Sequence, residues 1–81
     1  MIVRSLAANQ TQIEIATDFG FDQVFVSYET PVAAMIDGRL YRTDRKWSQT
    51  TTRHINKWLA GRNAENKPQS FFDSLLQSEA A

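Results

Sequence analysis

Hydrophobic residues alternate with polar ones through the first half of this chain and recur at three- and four-residue intervals in the second. From Thr11 to Thr17, Ile13 and Ile15 fall on one side and Gln12, Glu14 and Ala16 on the other, the period of a half-buried strand. Asp18-Phe19-Gly20 reads as a turn. Gln23–Glu29 is richer in β-formers, with Val24, Val26 and Tyr28 on one face and Phe25 and Ser27 opposite, and is the expected central strand. Thr30-Pro31 is expected to interrupt the pairing, because proline has no N–H to give to a ladder. Val32–Ile36 and Arg39–Thr43 then flank Asp37-Gly38, a pair suited to the two positive-φ positions of a type I′ hairpin turn. On the second arm Leu40 faces one side, and Tyr41 and Thr43 the other. Residues 1–8 fit a short strand or a loose edge segment equally well.

The period changes after Trp47. Ser48, Thr50, Thr51 and Thr52 can each cap a helix, and a first helix is expected over Thr50–Ala60, stopped by Gly61. Ile55, Trp58 and Leu59 make its i, i+3, i+4 stripe toward the sheet, leaving Arg53, Asn56, Lys57 and Ala60 outside. Residues 63–68 read as a polar linker. A second helix, Gln69–Glu79, opens with Ser70 and Asp73 spaced as a capping box and carries Phe71, Phe72, Leu75 and Leu76. The fold class is therefore α+β: an antiparallel sheet of three to five strands, covered on one face by one or two C-terminal helices. One domain spans 1–81, β-rich over 1–45 and helical over 48–79.

Composition narrows the class. Eighty-one residues leave room for a single small core, and with no cysteine it has no disulfide or thiolate metal site to lean on. No apolar run approaches the ~20 residues of a membrane span, and the first ten residues lack a signal peptide's apolar stretch. A soluble cytoplasmic protein is expected.

Charge distribution carries the one functional signal. The formal charge is zero, yet eight of the nine Lys and Arg residues lie between Arg39 and Lys67. Residues 1–38 carry a net −4, residues 39–67 a net +6 and the remainder −2. Arg42, Arg45 and Lys46 lie on or just after the hairpin, and Arg53, Lys57 and Arg62 along the exposed side of the first helix. Arg53 and Lys57 are i, i+4 neighbours, a like-charge pair that costs a few tenths of a kcal/mol without a counter-ion. Those six residues with Trp47 form the expected partner-binding set, facing an acidic protein surface or a phosphate backbone. The plain alternative is a solvated basic face, neutralised in part by Asp44, Glu65 and the acidic strands.

No catalytic or cofactor constellation accompanies it. His54 is the sole histidine, and Ser48, six residues earlier, stands about 120° away from it around a helix at 3.6 residues per turn. Thr50 could meet His54 at i, i+4 but is better placed as a cap. One histidine and scattered carboxylates give no metal-ligand spacing, and the three glycines are accounted for as turns or a helix stop. Trp58 belongs to the core stripe, whereas Trp47 either staples its loop to the helix or stands partly exposed. If the domain's own sheet left them uncovered, Phe71, Phe72, Leu75 and Leu76 would form an apolar patch for a homodimer.

The run Ser27-Tyr28-Glu29-Thr30-Pro31-Val32-Ala33 resembles the opening of a small uncharacterised protein family found mainly in phages and mobile elements. Trp47-Ser48, Thr50-Thr51 and His54-Ile55-Asn56-Lys57-Trp58-Leu59 resemble its second block. The resemblance spans about Val24–Leu59, leaves the second helix outside, and carries no biochemical role with it. It implies an accessory protein at work inside a bacterial or archaeal cell. The expectation is a non-enzymatic protein that binds and modulates or inhibits a host or defence complex. The competing expectation is sequence-independent nucleic-acid binding through the basic face of residues 39–62.

Overall fold

In the computed structural model, which describes residues 1–80, the alternating segments become one meander that grows hairpin by hairpin. Strands β1 (Ile2–Ala7), β2 (Gln10–Thr17), β3 (Gly20–Ser27), β4 (Thr30–Ile36) and β5 (Arg39–Thr43) pair antiparallel in sequence order. Helix α1 (Gln49–Leu59) then carries the chain back, so that β6 (Glu65–Lys67) lies parallel to β5 before α2 (Gln69–Ala80) begins. The α+β class is as expected. The sheet is not: it has six strands and is mixed, against an expected three to five antiparallel ones.

Each difference has a local cause. Of residues 1–8, Ile2–Ala7 form β1, whose pairing with β2 keeps register from Ile2 opposite Glu14 to Ser5 opposite Thr11. Pro31 does not break the sheet, because β3 and β4 slip register beside it, between Phe25 and Val26. A bulge is one of the few places where a missing N–H leaves the ladder intact. The polar stretch after α1 contains β6, three residues too short and too polar to show a strand period. Asp37 and Gly38 do take positive φ, 51° and 78°, as the hairpin reading requires.

The two helices lie on opposite faces, correcting the expectation of one covered face. Pairing sets Phe25, Ala33 and Arg42 on one side, and Val24, Ala34 and Tyr41 on the other. On the first side α1 packs Ile55 and Leu59 against Phe25, Val32 and Ala33, flanked by Leu40, Trp47, Trp58 and Ala64. Trp58 stacks on Phe25 at 5.4 Å and donates from Nε1 to Gln12 Oε1 at 2.9 Å. On the second side Phe71 meets Tyr41 at 5.5 Å, and Phe72 is wholly buried.

Gln69 ties α2 to the sheet. Its Nε2 donates to the Pro31 carbonyl at 2.7 Å, while its Oε1 accepts from Thr43 Oγ1 at 2.8 Å and Trp47 Nε1 at 3.1 Å. Asp73 accepts from Gln69 Nε2 at 3.0 Å rather than closing the expected box with Ser70.

Helix α1 starts one residue earlier than expected, where the Ser48 hydroxyl accepts from the Thr51 N–H at 3.2 Å. It ends at Leu59, one residue before the expected Ala60, and the stop is Ala60 rather than Gly61: Ala60 itself is left-handed, with φ 53° and ψ 43°. An L-residue there costs roughly 1–2 kcal/mol, and glycine returns about half of that as lost chain entropy. Ala60→Gly is therefore expected to stabilise the domain by about 0.5 kcal/mol and raise Tm by about 3 °C. A calorimetric scan showing a lower Tm would mean that the Ala60 methyl makes contacts worth more than its strain.

Candidate anion-binding cleft

Between α1 and the β5–β6 edge the sheet is left open. Arg42 and Asn66, paired across β5 and β6, form one wall, and Ile55 and Leu59 of α1 form the floor with Ala64. The loops at either end bring in Asp44, Arg45, Lys46 and Trp47, then Arg62 and Asn63, and the helix adds Gln49, Thr52 and Arg53. The cleft holds about 920 Å³. Five bases against Asp44 give its lining a formal +4, so the rest of this neutral chain carries −4.

Six of the seven residues expected to bind a partner meet here: Arg42, Arg45, Lys46, Trp47, Arg53 and Arg62. Lys57 is exposed on α1 but does not line the cleft. The i, i+4 pairing of Arg53 with Lys57 thus does not make a single anion site. Asn63, Ala64 and Asn66 were not legible as part of any site, because only the parallel return of β6 brings them opposite α1.

The cations differ in what already holds them. Arg62 donates from Nε to the Leu59 carbonyl at 2.8 Å and from Nη2 to the Trp58 carbonyl at 3.1 Å, closing the helix C-terminus. Arg42 donates to Asn56 Oδ1 at 3.3 Å, and the Arg45 guanidinium lies 4.5 Å above the Trp47 ring. Lys46 and Arg53 have no ion-pair or hydrogen-bond partner among the described residues. Elsewhere Glu65 pairs with Lys67 at 3.3 Å, and Arg4 with Glu14 at 2.8 Å. The hydrogen bond from Arg4, joined by one from Gln12, holds the Glu14 carboxyl below its ordinary pKa.

The tryptophans are both engaged. Trp47 is half-buried, with its N–H on Gln69 and a guanidinium over its ring, and Trp58 is packed on Phe25. Each ring therefore has one face already occupied, and Trp47 also lines the cleft.

His54 lies on the other flank of α1, where Nδ1 is 2.8 Å from Ser27 Oγ and the ring is 5.7 Å from Tyr28. A Ser–His pair at that distance invites a nucleophilic reading. Ser27, however, is only 1% exposed and also bonds the Thr51 hydroxyl at 3.3 Å, so no substrate reaches its oxygen. The pair fastens α1 to β3. Among the described residues no group of three or more His, Cys, Asp or Glu could hold a metal, and no helix is long and apolar enough to cross a membrane.

A family described as a family of unknown function, DUF8033, has a sequence model that matches residues 1–74. The chain belongs to that family. The match to DUF8033 takes in all six strands, α1 and the start of α2, so it is wider than the Val24–Leu59 span of the resemblance noted above. No curated protein and no solved structure matches the chain.

Proposed function

We propose that this DUF8033 chain is a non-enzymatic binding module whose basic cleft takes a short acidic segment of a partner protein, and that by occupying that segment it modulates a host or defence complex. The observation that carries the reading is the cleft itself: five cations face one concave space beside a single carboxylate, two of them without an ion-pair or hydrogen-bond partner among the described residues. Its size suits a peptide. Alongside the eleven residues of α1 it runs about 16 Å at 1.5 Å per residue, the reach of about five residues of extended chain. The charge is also confined. A long polyanion leaving the cleft would cross a surface of net −4, whereas a short acidic segment would not. The viral or mobile-element setting comes from the resemblance of the Ser27–Ala33 and Trp47–Leu59 blocks.

The second reading, nucleic acid, is favoured by one observation: four of the five cations are arginines, whose planar forks match phosphate as well as carboxylate. The engaged tryptophans weigh against stacked bases.

Salt separates the two. Five phosphate contacts on duplex DNA would give a slope near −4.5 in log K against log salt, a loss of about 500-fold between 50 and 200 mM. Fluorescence anisotropy with a labelled duplex is expected to give no such binding. Capture from a nuclease-treated host lysate is expected to retain a defined protein that an acidic peptide from its sequence displaces. Duplex binding with the steep slope, and no protein retained, would replace the first reading by the second.

A further inference from the structure

We propose that the outer edge of β1 is a homodimer seam, closed by antiparallel pairing with β1 of a second copy of this chain. All six residues of β1 are exposed, with Ile2, Val3 and Leu6 at 41%, 61% and 46%. Because strand residues alternate, Ile2 stands on the α1 face and Val3 on the α2 face, so both sides of the edge are apolar. The outward N–H and C=O groups of β1 have no partner strand among the described residues.

Proteins normally blunt such an edge with lysine, proline, shortness or a cover. The chain does so at β6, which is three residues long and holds the Glu65–Lys67 pair. At β1 it does not. The strand has six residues and no proline, and its one charge, Arg4, is already neutralised by Glu14 at 2.8 Å.

That pattern selects the occupant. A row of outward N–H and C=O groups is matched most fully by another strand, and a charged partner finds no net charge here to draw it. The β6 edge of a neighbouring copy is too short and too polar to match. A second β1 matches it apolar side to apolar side, under two-fold symmetry that sets each residue opposite one on the same sheet face.

Charge and the bulge fix the register. Centring on Arg4 would set two guanidinium groups face to face, and the register shift between Ser5 and Ala7 disfavours centring on Ser5. Centring on Ile2 would pair only residues 1–3, so Val3 opposite Val3 gives the longer overlap, with Ile2 opposite the aliphatic stem of Arg4. A standard stable interface buries about 800 Å² per partner, about 15% of the 5324 Å² surface, and one six-residue edge supplies less. The dimer is therefore weak, with Kd of the order of 10–100 µM.

The chain has no cysteine, so an introduced one reports a single contact. Opposed residues in an antiparallel pair stand about 4.5–5.5 Å apart at Cα, within disulfide reach. Val3→Cys, with oxidised glutathione as oxidant, is expected to form a covalent dimer at least about tenfold faster than Leu6→Cys. Sedimentation velocity of the unaltered chain is expected to show a dimer growing in up to about 500 µM, and Val3→Lys to remove it while circular dichroism stays unchanged. Three results would each overturn the seam: a monomer throughout that range, equal crosslinking at positions 3 and 6, or a dimer that survives Val3→Lys. The last would move the interface to another face, such as that of Leu75 and Leu76.

Discussion

Phe25→Ala is expected to remove about 3–5 kcal/mol of stability, the range for emptying a buried phenylalanine site. A domain of 81 residues has only about 4–12 kcal/mol in all, so the variant is expected to be largely unfolded at 37 °C or close to it. The effect is large because Phe25 is wholly buried at the point where both halves of the fold meet. Its ring lies against Trp58 with planes 17° apart, and Val32, Ala33, Ile55 and Leu59 close around it. Removing it also unseats Trp58, whose N–H reaches across to Gln12 on β2. Few small side chains can move in, because the neighbouring strand supplies alanine at position 33. Phe25→Leu keeps most of the volume and is expected to cost about 1–1.5 kcal/mol. Urea denaturation of the two variants checks the pair: a loss under about 1 kcal/mol for alanine would show that the core closes without its central ring.

The second large effect concerns binding. Reversing Arg45, Lys46 and Arg53 to glutamate turns the cleft lining from +4 to −2. Arg42 and Arg62 are left in place because they bond Asn56 and the end of α1, so their loss would confuse folding with recognition. If the three reversed residues each make one charge-assisted bond worth about 1.5 kcal/mol, affinity for the acidic segment falls about 1000-fold or more. The thermal midpoint should move little, since isolated surface substitutions stay within about 0.5 kcal/mol each. Lys57→Glu provides the internal comparison. It carries the same change of charge on the same helix but outside the cleft, so titration calorimetry is expected to show only a small, salt-sensitive loss. Equal losses from Lys57→Glu and from one reversal in the cleft would mean that general attraction, and not the cleft, holds the partner.

What the sequence could disclose follows from the range of the interactions involved. The strand period around Ile13 and Ile15, the Asp37-Gly38 turn and the Ile55–Leu59 stripe are local, and each stands where its pattern puts it. The clustering of Arg42, Arg45, Lys46, Trp47, Arg53 and Arg62 was also legible, because all lie within one connection. Four features were not. β6 is set by pairing to β5 and not by its own residues, and α2 crosses to the opposite face only because of where β6 ends. Gln69 looked like an ordinary helix-start residue, yet it bonds Pro31, Thr43, Trp47 and Asp73 together. Ser27 and His54, twenty-seven positions apart, became neighbours through the packing of α1 on β3.

The parallel crossover from β5 through α1 to β6 also sets an order of assembly. Every other strand pairing joins chain neighbours through a tight turn, so the meander can form from local contacts alone. β6 can pair only once residues 44–64 have been laid back over the sheet, and then only through three residues and the bond from Asp44 N–H to the Lys67 carbonyl. Closure of the cleft thus waits on that crossover and rests on a short pairing. An occupant that touches both Arg53 on the helix and Asn66 on β6 would hold that closure shut, so recognition and completion of the fold reinforce one another.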